Sequence, residues 1–215
     1  MITIEKLCIS YGTNNNVIDE LSLSIKKGLI HGIVGLNGAG KTSLFNAVFG
    51  LIKIKSGSIQ IDNQKTNKHS IAFLPTENFF YTNITGIEYL NLFKNQNFDI
   101  GQWNKLFTLP LESIIDGYSS GMKKKLALLG VLKQEKPIMI LDEPFNGVDI
   151  ETARIIRLIL LRLKENGKTI LISSHIIETL TNLCDFIHYL EKGVIKQSID
   201  KKDFFDFENR IFKEI

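Results

Sequence analysis

The sequence predicts an α/β fold: a core of buried strands and helices, an antiparallel β part at the N-terminus, and a helical lobe inserted mid-chain. Three observations predict it. Residues 2 to 9 and 17 to 25 alternate apolar and polar side chains, the period of strands with one wet face. Residues 29 to 34 (LIHGIV), 138 to 141 (IMIL) and 169 to 173 (TILIS) are instead short, nearly continuous apolar runs, as parallel strands buried on both faces require. Residues 78 to 133 have helical character, rich in Phe and Asn at first, and lie between one buried strand region and the next.

The elements follow in order. ITIEKLCI and VIDELSLSI are separated by YGTNNN, whose Gly and Asn suit a turn. SGSIQID, residues 56 to 62, adds a short strand of the same kind. LIHGIV runs directly into GLNGAGKT, residues 35 to 42, and then into SLFNAVF, a helical pattern closed by Gly50. The clearest helix is ETARIIRLILLRLKEN, residues 151 to 166, acidic at its start and basic near its end, with Gly167 as its C-cap. The tail KKDFFDFENRIFKEI reads as a terminal helix packing Phe204, Phe205 and Ile211. No internal repeat or low-complexity linker interrupts the chain. Residues 1–215 therefore read as one domain, with 1–77 and 134–215 forming the α/β core and its antiparallel part, and 78–133 the helical subdomain.

Bulk properties exclude several roles. The 215 residues are 44% apolar and 23% charged, an ordinary globular composition. Lys plus Arg (26) barely exceeds Asp plus Glu (23), and the signs are interspersed, so the net charge of +3 is no nucleic-acid footprint. MITIEKLCIS lacks the apolar core of a signal peptide, and no apolar run approaches the ~18 residues of a membrane span. A membrane role therefore needs another chain. Cys8 and Cys184 stand far apart and read as buried thiols in a reducing cytosol.

GLNGAGKT carries chemistry. In the pattern G-x-x-x-x-G-K-[ST], the small residues of the turn, here Asn37, Gly38, Ala39 and Gly40, let successive N–H groups face a β-phosphate at a helix N-terminus. Lys41 supplies a point charge to the phosphates, Thr42 a hydroxyl for magnesium, and Ser43 follows in the first helical turn. KPIMILDEP then places Asp142 and Glu143 at the carboxyl end of a buried strand, where open α/β sheets bind ligands. Asp142 can hold magnesium, and Glu143 can point a carboxylate at the water attacking a γ-phosphate. Ser173, Ser174 and His175 end another buried strand, which puts His175 at the same end of the sheet. His31, His69 and His188 lack such a setting and read as structural or exposed.

Two nucleotide enzymes are disfavoured. Neither Asn67-Lys68 nor Asn104-Lys105 is followed by the Asp of a guanine-specifying N-K-x-D segment. The arginines that small-molecule kinases direct at a transferred phosphoryl group are reduced here to Arg154, Arg157, Arg162 and Arg210. GYSSGMKKKLALL, residues 117 to 129, opens as a turn and continues as a helix. Its lysines leave three uses open: a basic stripe for nucleic acid, an amphipathic patch for a membrane surface, or a solvated face on a helix whose function lies at its N-terminus. Lys123, Lys124 and Lys125 read mainly as a solvated face.

The order Tyr11, GLNGAGKT, LPTEN, YSSGM, IMILDEP, NGVD and SSH resembles the nucleotide-binding subunits of ABC transporters across nearly the whole chain. The resemblance implies a P-loop NTPase core of the RecA-like type, with ATP and Mg2+ as cofactors. It implies that Tyr11 stacks on adenine, Asp142 serves the magnesium site, Glu143 is catalytic, Asp149 belongs to an interface loop and His175 is the switch histidine. YSSGM stands where the family carries LSGGQ; Tyr118, Ser120 and Met122 depart from it, in a form that looks like the exporter branch. There Ser119, Ser120 and Gly121 would meet the ATP of a second copy in a head-to-tail dimer. Thr76 stands where the family carries a glutamine that touches magnesium and the attacking water, and Glu77 beside it could compensate. The implied partners are an integral membrane transporter subunit and a second ATPase subunit, identical or not, with no nucleic acid. The implied location is the cytoplasm, on the membrane's cytoplasmic face through the partner, and the implied direction is export. Two rivals remain: a soluble ABC ATPase acting on ribosomes or nucleic acid, and an ATP-binding scaffold without turnover.

Overall fold

The computed structural model describes residues 1–12, 16–65 and 68–206. In chain order they form β1 (Ile2–Ser10), β2 (Asn16–Ile25), β3 (Ile30–Val34), α1 (Lys41–Phe49), β4 (Ser56–Ile61), β5 (Gln64–Lys65), β6 (Ile71–Leu74) and α2 (Gly86–Asn91). There follow α3 (Ile100–Phe107), α4 (Ser120–Lys133), β7 (Ile138–Leu141), α5 (Ile150–Glu165), β8 (Thr169–Ser174), α6 (Ile177–Thr181), β9 (Phe186–Glu191) and β10 (Val194–Asp200).

Two sheets result. The first runs β2-β1-β4-β5 with antiparallel pairs throughout. Along β2 the side chains of Ile18, Leu21, Leu23 and Ile25 are buried and most others exposed, the one-sided pattern expected of an antiparallel layer. The second sheet runs β10-β9-β3-β8-β7-β6, parallel except for the edge strand β10. Every residue of β3, β7 and β8 is buried, as the three apolar runs required.

Alternation along these strands feeds two cores, because successive side chains leave opposite faces. Ile33, Ile138, Ile140 and Leu171 join the N-terminal sheet and the inner face of α1, where Phe45 is fully buried. Ile170, Ile172, Met139 and Leu141 join α4, α5, α6 and the helical segments before them. Leu126, Leu128 and Leu129 root α4 in this second core. Truncating such a side chain to Ala would cost about 2–5 kcal/mol.

Helix ends follow local chemistry. Thr85 and Glu88 form a reciprocal capping box on α2, and Asp99, Ser119 and Asp149 cap α3, α4 and α5. α5 ends with Gly167 at φ 77°, just past its last turn.

Some expectations change. Phe204 is buried, but Phe205, the next residue around the same helical turn, is 74% exposed; Ile211 lies outside the described residues. The α4 lysines are not a uniform solvated face: Lys124 is only 7% exposed, on the side of the helix that turns inward. β6, β9 and the antiparallel edge strand β10 complete the second sheet although no expectation covered them. Among the described residues, no helix is long and apolar enough to cross a membrane.

Candidate active site

The site gathers at the carboxyl ends of three neighbouring strands, β3, β8 and β7. From β3 comes the glycine loop. Gly40, at the N-cap of α1, has φ 107°, and a Cβ there would lie 2.8 Å from Ile18 Cδ1 and 3.1 Å from Val17 O. Both the backbone angle and the space favour glycine. No side chain caps α1, whereas α2 to α5 all have side-chain caps. The first N–H groups of α1 and its positive dipole end are thus left for an anion.

Lys41 arches back over this loop. Its Nζ donates to Gly35 O at 2.7 Å and Leu36 O at 3.3 Å, and lies 3.5 Å from Glu143 Oε1. From β7 comes Asp142, fully buried. Its Oδ2 accepts from Thr42 Oγ1 at 2.6 Å and Thr76 Oγ1 at 2.7 Å, while Ser173 Oγ donates to Oδ1. Three hydroxyls therefore fix one carboxylate, which stabilises a buried charge that would otherwise be costly.

Glu143 follows with φ 50°, in the left-handed region, a conformation that costs about 1–2 kcal/mol for a residue with a Cβ. Its N–H donates to Ser173 Oγ at 2.9 Å, so β8 holds the strained backbone. Its Oε2 meets His175 Nδ1 at 3.1 Å. One carboxylate thus bridges Lys41 and His175.

Lys41, Thr42, Thr76, Glu143 and His175 line a cleft of about 300 Å³ with Asn37, Gly38, Gly40, Ser43, Val17 and Asn146, while Asp142 and Ser173 are buried. Tyr11 stands at its margin, 58% exposed, its hydroxyl 3.2 Å from Ser43 Oγ. Ala39 lies on the far side of the loop, beside Tyr189 to Lys192, and its N–H bonds Leu36 O at 3.1 Å. Ser119, Ser120, Gly121 and Asp149 are not among the cleft residues. Ser119 and Ser120 are exposed at the start of α4, where Ser119 Oγ accepts from Met122 N at 3.2 Å. Asp149 accepts from Thr152 N at 2.8 Å and from its hydroxyl at 2.7 Å, bonds that hold its carboxyl below the usual range. Glu77 is exposed and outside the cleft.

Sequence reasoning missed Val17 and Asn146, and it noted Ser173 without a role. The signal for Ser173 was present: a hydroxyl inside an otherwise apolar, fully buried strand needs a partner. Asn146 opens the NGVD segment, from which only Asp149 was given a role.

The donor set suits one kind of ion. Hydroxyl and carboxylate oxygens of Thr42, Thr76 and Asp142 converge, and magnesium takes one or two carboxylates together with phosphate and water oxygens. Among the described residues no group of three or more His, Cys, Asp or Glu could hold a metal by itself.

The ABC transporter family model matches residues 18–146. The chain belongs to the ABC transporter family. MJ1023, an uncharacterized ABC transporter ATP-binding protein of Methanocaldococcus jannaschii, is 33% identical over 202 residues, covering 89% of this chain and 74% of that one. The bacitracin transport ATP-binding protein BcrA of Enterococcus faecalis is 30% identical over 215 residues, covering 93% and 69%. A solved ATP-binding subunit of an ABC transporter matches with a TM-score of 0.82 at 26% identity, over 99% of this chain and 93% of that one. The glycine loop, Asp142 and Glu143 all fall within the matched segment; Asp149 and His175 lie beyond it. This chain is thus an ATP-binding ABC ATPase subunit, and its α/β architecture is that of the family's P-loop cassettes.

Proposed function

We propose that this ABC subunit hydrolyses ATP between two ATPase chains and passes the closing and opening of that pair to a separate membrane subunit, powering export. The observation that carries the ATP site is the N-terminus of α1, which no side chain caps, opening with Lys41 and Thr42 onto the cleft that Glu143 and His175 also line. In this reading the loop Asn37–Gly40 and the first turn of α1, with Ser43, receive the phosphates. Lys41 leaves the carbonyls of Gly35 and Leu36 for phosphate oxygens, a stronger charge-assisted partner. Tyr11, tethered to Ser43 at the rim, receives the adenine.

Thr42 and Asp142 would hold magnesium, with Thr76 steadying Asp142 through its hydroxyl. When bound, the ion would neutralise charge on the β- and γ-phosphate oxygens. Glu143 orients the attacking water and accepts its proton. His175, 3.1 Å from Glu143, links the carboxylate to the γ-phosphate position.

Ser119–Gly121 lie outside the cleft of their own chain, which supports a role toward a second chain's ATP. Asp149, at the exposed start of α5, would belong to the same interface. Residues 78–133 would act as the helical subdomain of a single domain. Export rests on the likeness of YSSGM to the exporter branch, and the relative named for bacitracin transport accords with a transport role. The chain would work in the cytoplasm, against the membrane through its partner.

Mixing Lys41→Ala chains with Ser119→Arg chains tests the composite site. One competent site per mixed pair is expected, so activity should reach at most half of wild type; full wild-type activity would contradict shared sites. For the membrane partner, the full chain should co-purify from membranes with a polytopic protein, and recovery without one would contradict the transport assignment.

A further inference from the structure

Asn146 lines the phosphate cleft beside Glu143, and its carboxamide has no part in holding the local backbone. Its N–H donates to Glu143 O at 3.2 Å, which closes the turn that Glu143 opens. Gly147 follows at φ 75°. In such a turn an asparagine side chain commonly bonds the nearby backbone. Here the cap of α5 is supplied by Asp149, and among the described residues the Asn146 carboxamide has no hydrogen-bond partner.

Its neighbours in the cleft are already engaged. Thr42 and Thr76 donate to Asp142 at 2.6 and 2.7 Å. Ser43 Oγ accepts from the Tyr11 hydroxyl at 3.2 Å. Glu143 lies between Lys41 at 3.5 Å and His175 at 3.1 Å. Of the described polar side chains that line the cleft, Asn37 and Asn146 alone have no such bond. Asn37 belongs to the glycine loop and also lines the cavity on that loop's far side. Asn146 belongs to the Glu143 turn, and with Thr76 it also lines a second cavity of about 240 Å³ beside Ser120. It therefore stands between the cleft and the start of α4.

A water that attacks a γ-phosphate carries two protons. Glu143 accepts one of them, and unless the other meets an acceptor the water turns freely about that single bond, which forfeits the alignment a bound reactant gains. We propose that Asn146 is a further catalytic residue: its carboxamide oxygen accepts the second hydrogen bond of the attacking water while Glu143 accepts the first. As the water oxygen bonds to phosphorus, the bond from phosphorus to the bridging oxygen breaks and ADP leaves with that electron pair. One proton passes to Glu143. The other stays on the phosphate product, still bonded to Asn146 Oδ1. The inference rests on reading Glu143 as the group that orients the attacking water.

The experiment measures steady-state hydrolysis and ATP affinity in full-length wild type, Asn146→Leu, Asn146→Asp and Glu143→Gln. Leucine has nearly the shape of asparagine without an acceptor, whereas aspartate keeps the oxygen. Asn146→Leu should lower kcat about tenfold, the worth of one hydrogen bond to the reacting water, with ATP affinity within about twofold of wild type. Asn146→Asp should retain most of the rate at saturating ATP. Wild-type kcat in Asn146→Leu, or an Asn146→Asp chain as slow as Asn146→Leu, would overturn the proposal, as would an ATP affinity that falls in step with kcat. Asn146 is exposed, so these variants should melt as wild type does. Should Asn146→Leu melt early, Asn146→Ala against Asn146→Asp makes the same comparison: a slow Ala variant beside a fast Asp variant supports the proposal, and equal rates overturn it. Glu143→Gln separates the two layers. If that variant is inactive while Asn146→Leu is normal, only the asparagine's role falls; if Glu143→Gln itself hydrolyses normally, the site reading falls first.

Discussion

His31 and His188 form a neutral relay in the interior, away from the phosphate cleft. Lys26 N–H donates to His31 Nε2 at 3.1 Å, so the His31 proton sits on Nδ1, 3.0 Å from His188 Nε2. His188 then donates from Nδ1 to Ser198 Oγ at 2.8 Å. Each ring nitrogen has one role, and a second proton on either ring would break the chain of donors. Burial lowers His31 to about 4 and His188 to about 3. With folded values below the unfolded one of ~6.5, the unfolded chain binds protons that the folded chain refuses as pH falls. Stability should therefore be full above pH ~6.5 and decline toward pH ~4, with a slope of up to ~1.4 kcal/mol per pH unit for each histidine. Denaturant midpoints measured across that window check this, and His188→Gln should flatten the slope. An unchanged slope in the variant would contradict a contribution from His188.

At the scale of elements, the β9–β10 turn braces the glycine loop. Gly193 N donates to Ala39 O at 3.1 Å, and Gly193 O accepts from Asp19 N at 3.1 Å, so one turn ties the loop to β2. Gly193 has φ 79°, and a Cβ would lie 2.3 Å from Val17 O. Gly193→Ala should therefore weaken ATP binding by about tenfold, through a displaced loop, while the cooperative melt persists. Titration with ATP would show it, and wild-type affinity would contradict the brace. Nothing in residues 192–193 announced this contact in the sequence, because it depends on where the antiparallel edge of the sheet lands. The glycine loop and Asp142-Glu143 were legible for the opposite reason: each is a contiguous run placed directly after an apolar strand. β6 has only four residues, and β9 mixes His, Tyr and Glu with its apolar positions, so neither carries a strong period. Ser173 acquires its role only once β8 lies between β3 and β7. Lys124 was misread because three lysines in a row conceal which one the helix turns inward.

Across the whole molecule, one sheet order makes the site. Parallel strands β3, β8 and β7 lie side by side and present the glycine loop, His175 with Ser173, and Asp142 with Glu143 at the same ends. Two cores hold that edge, one beneath α1 and the other beneath α4 and α5. The start of α4 is displayed outside the cleft, consistent with a second chain completing it. The central claim is that this cleft turns over ATP through Glu143. Its most direct test is ATP turnover and ATP affinity in Glu143→Gln, which replaces a carboxylate with a neutral amide of the same size. Turnover should fall by about a hundredfold or more with ATP still bound. Hydrolysis at the wild-type rate in that variant would contradict the account.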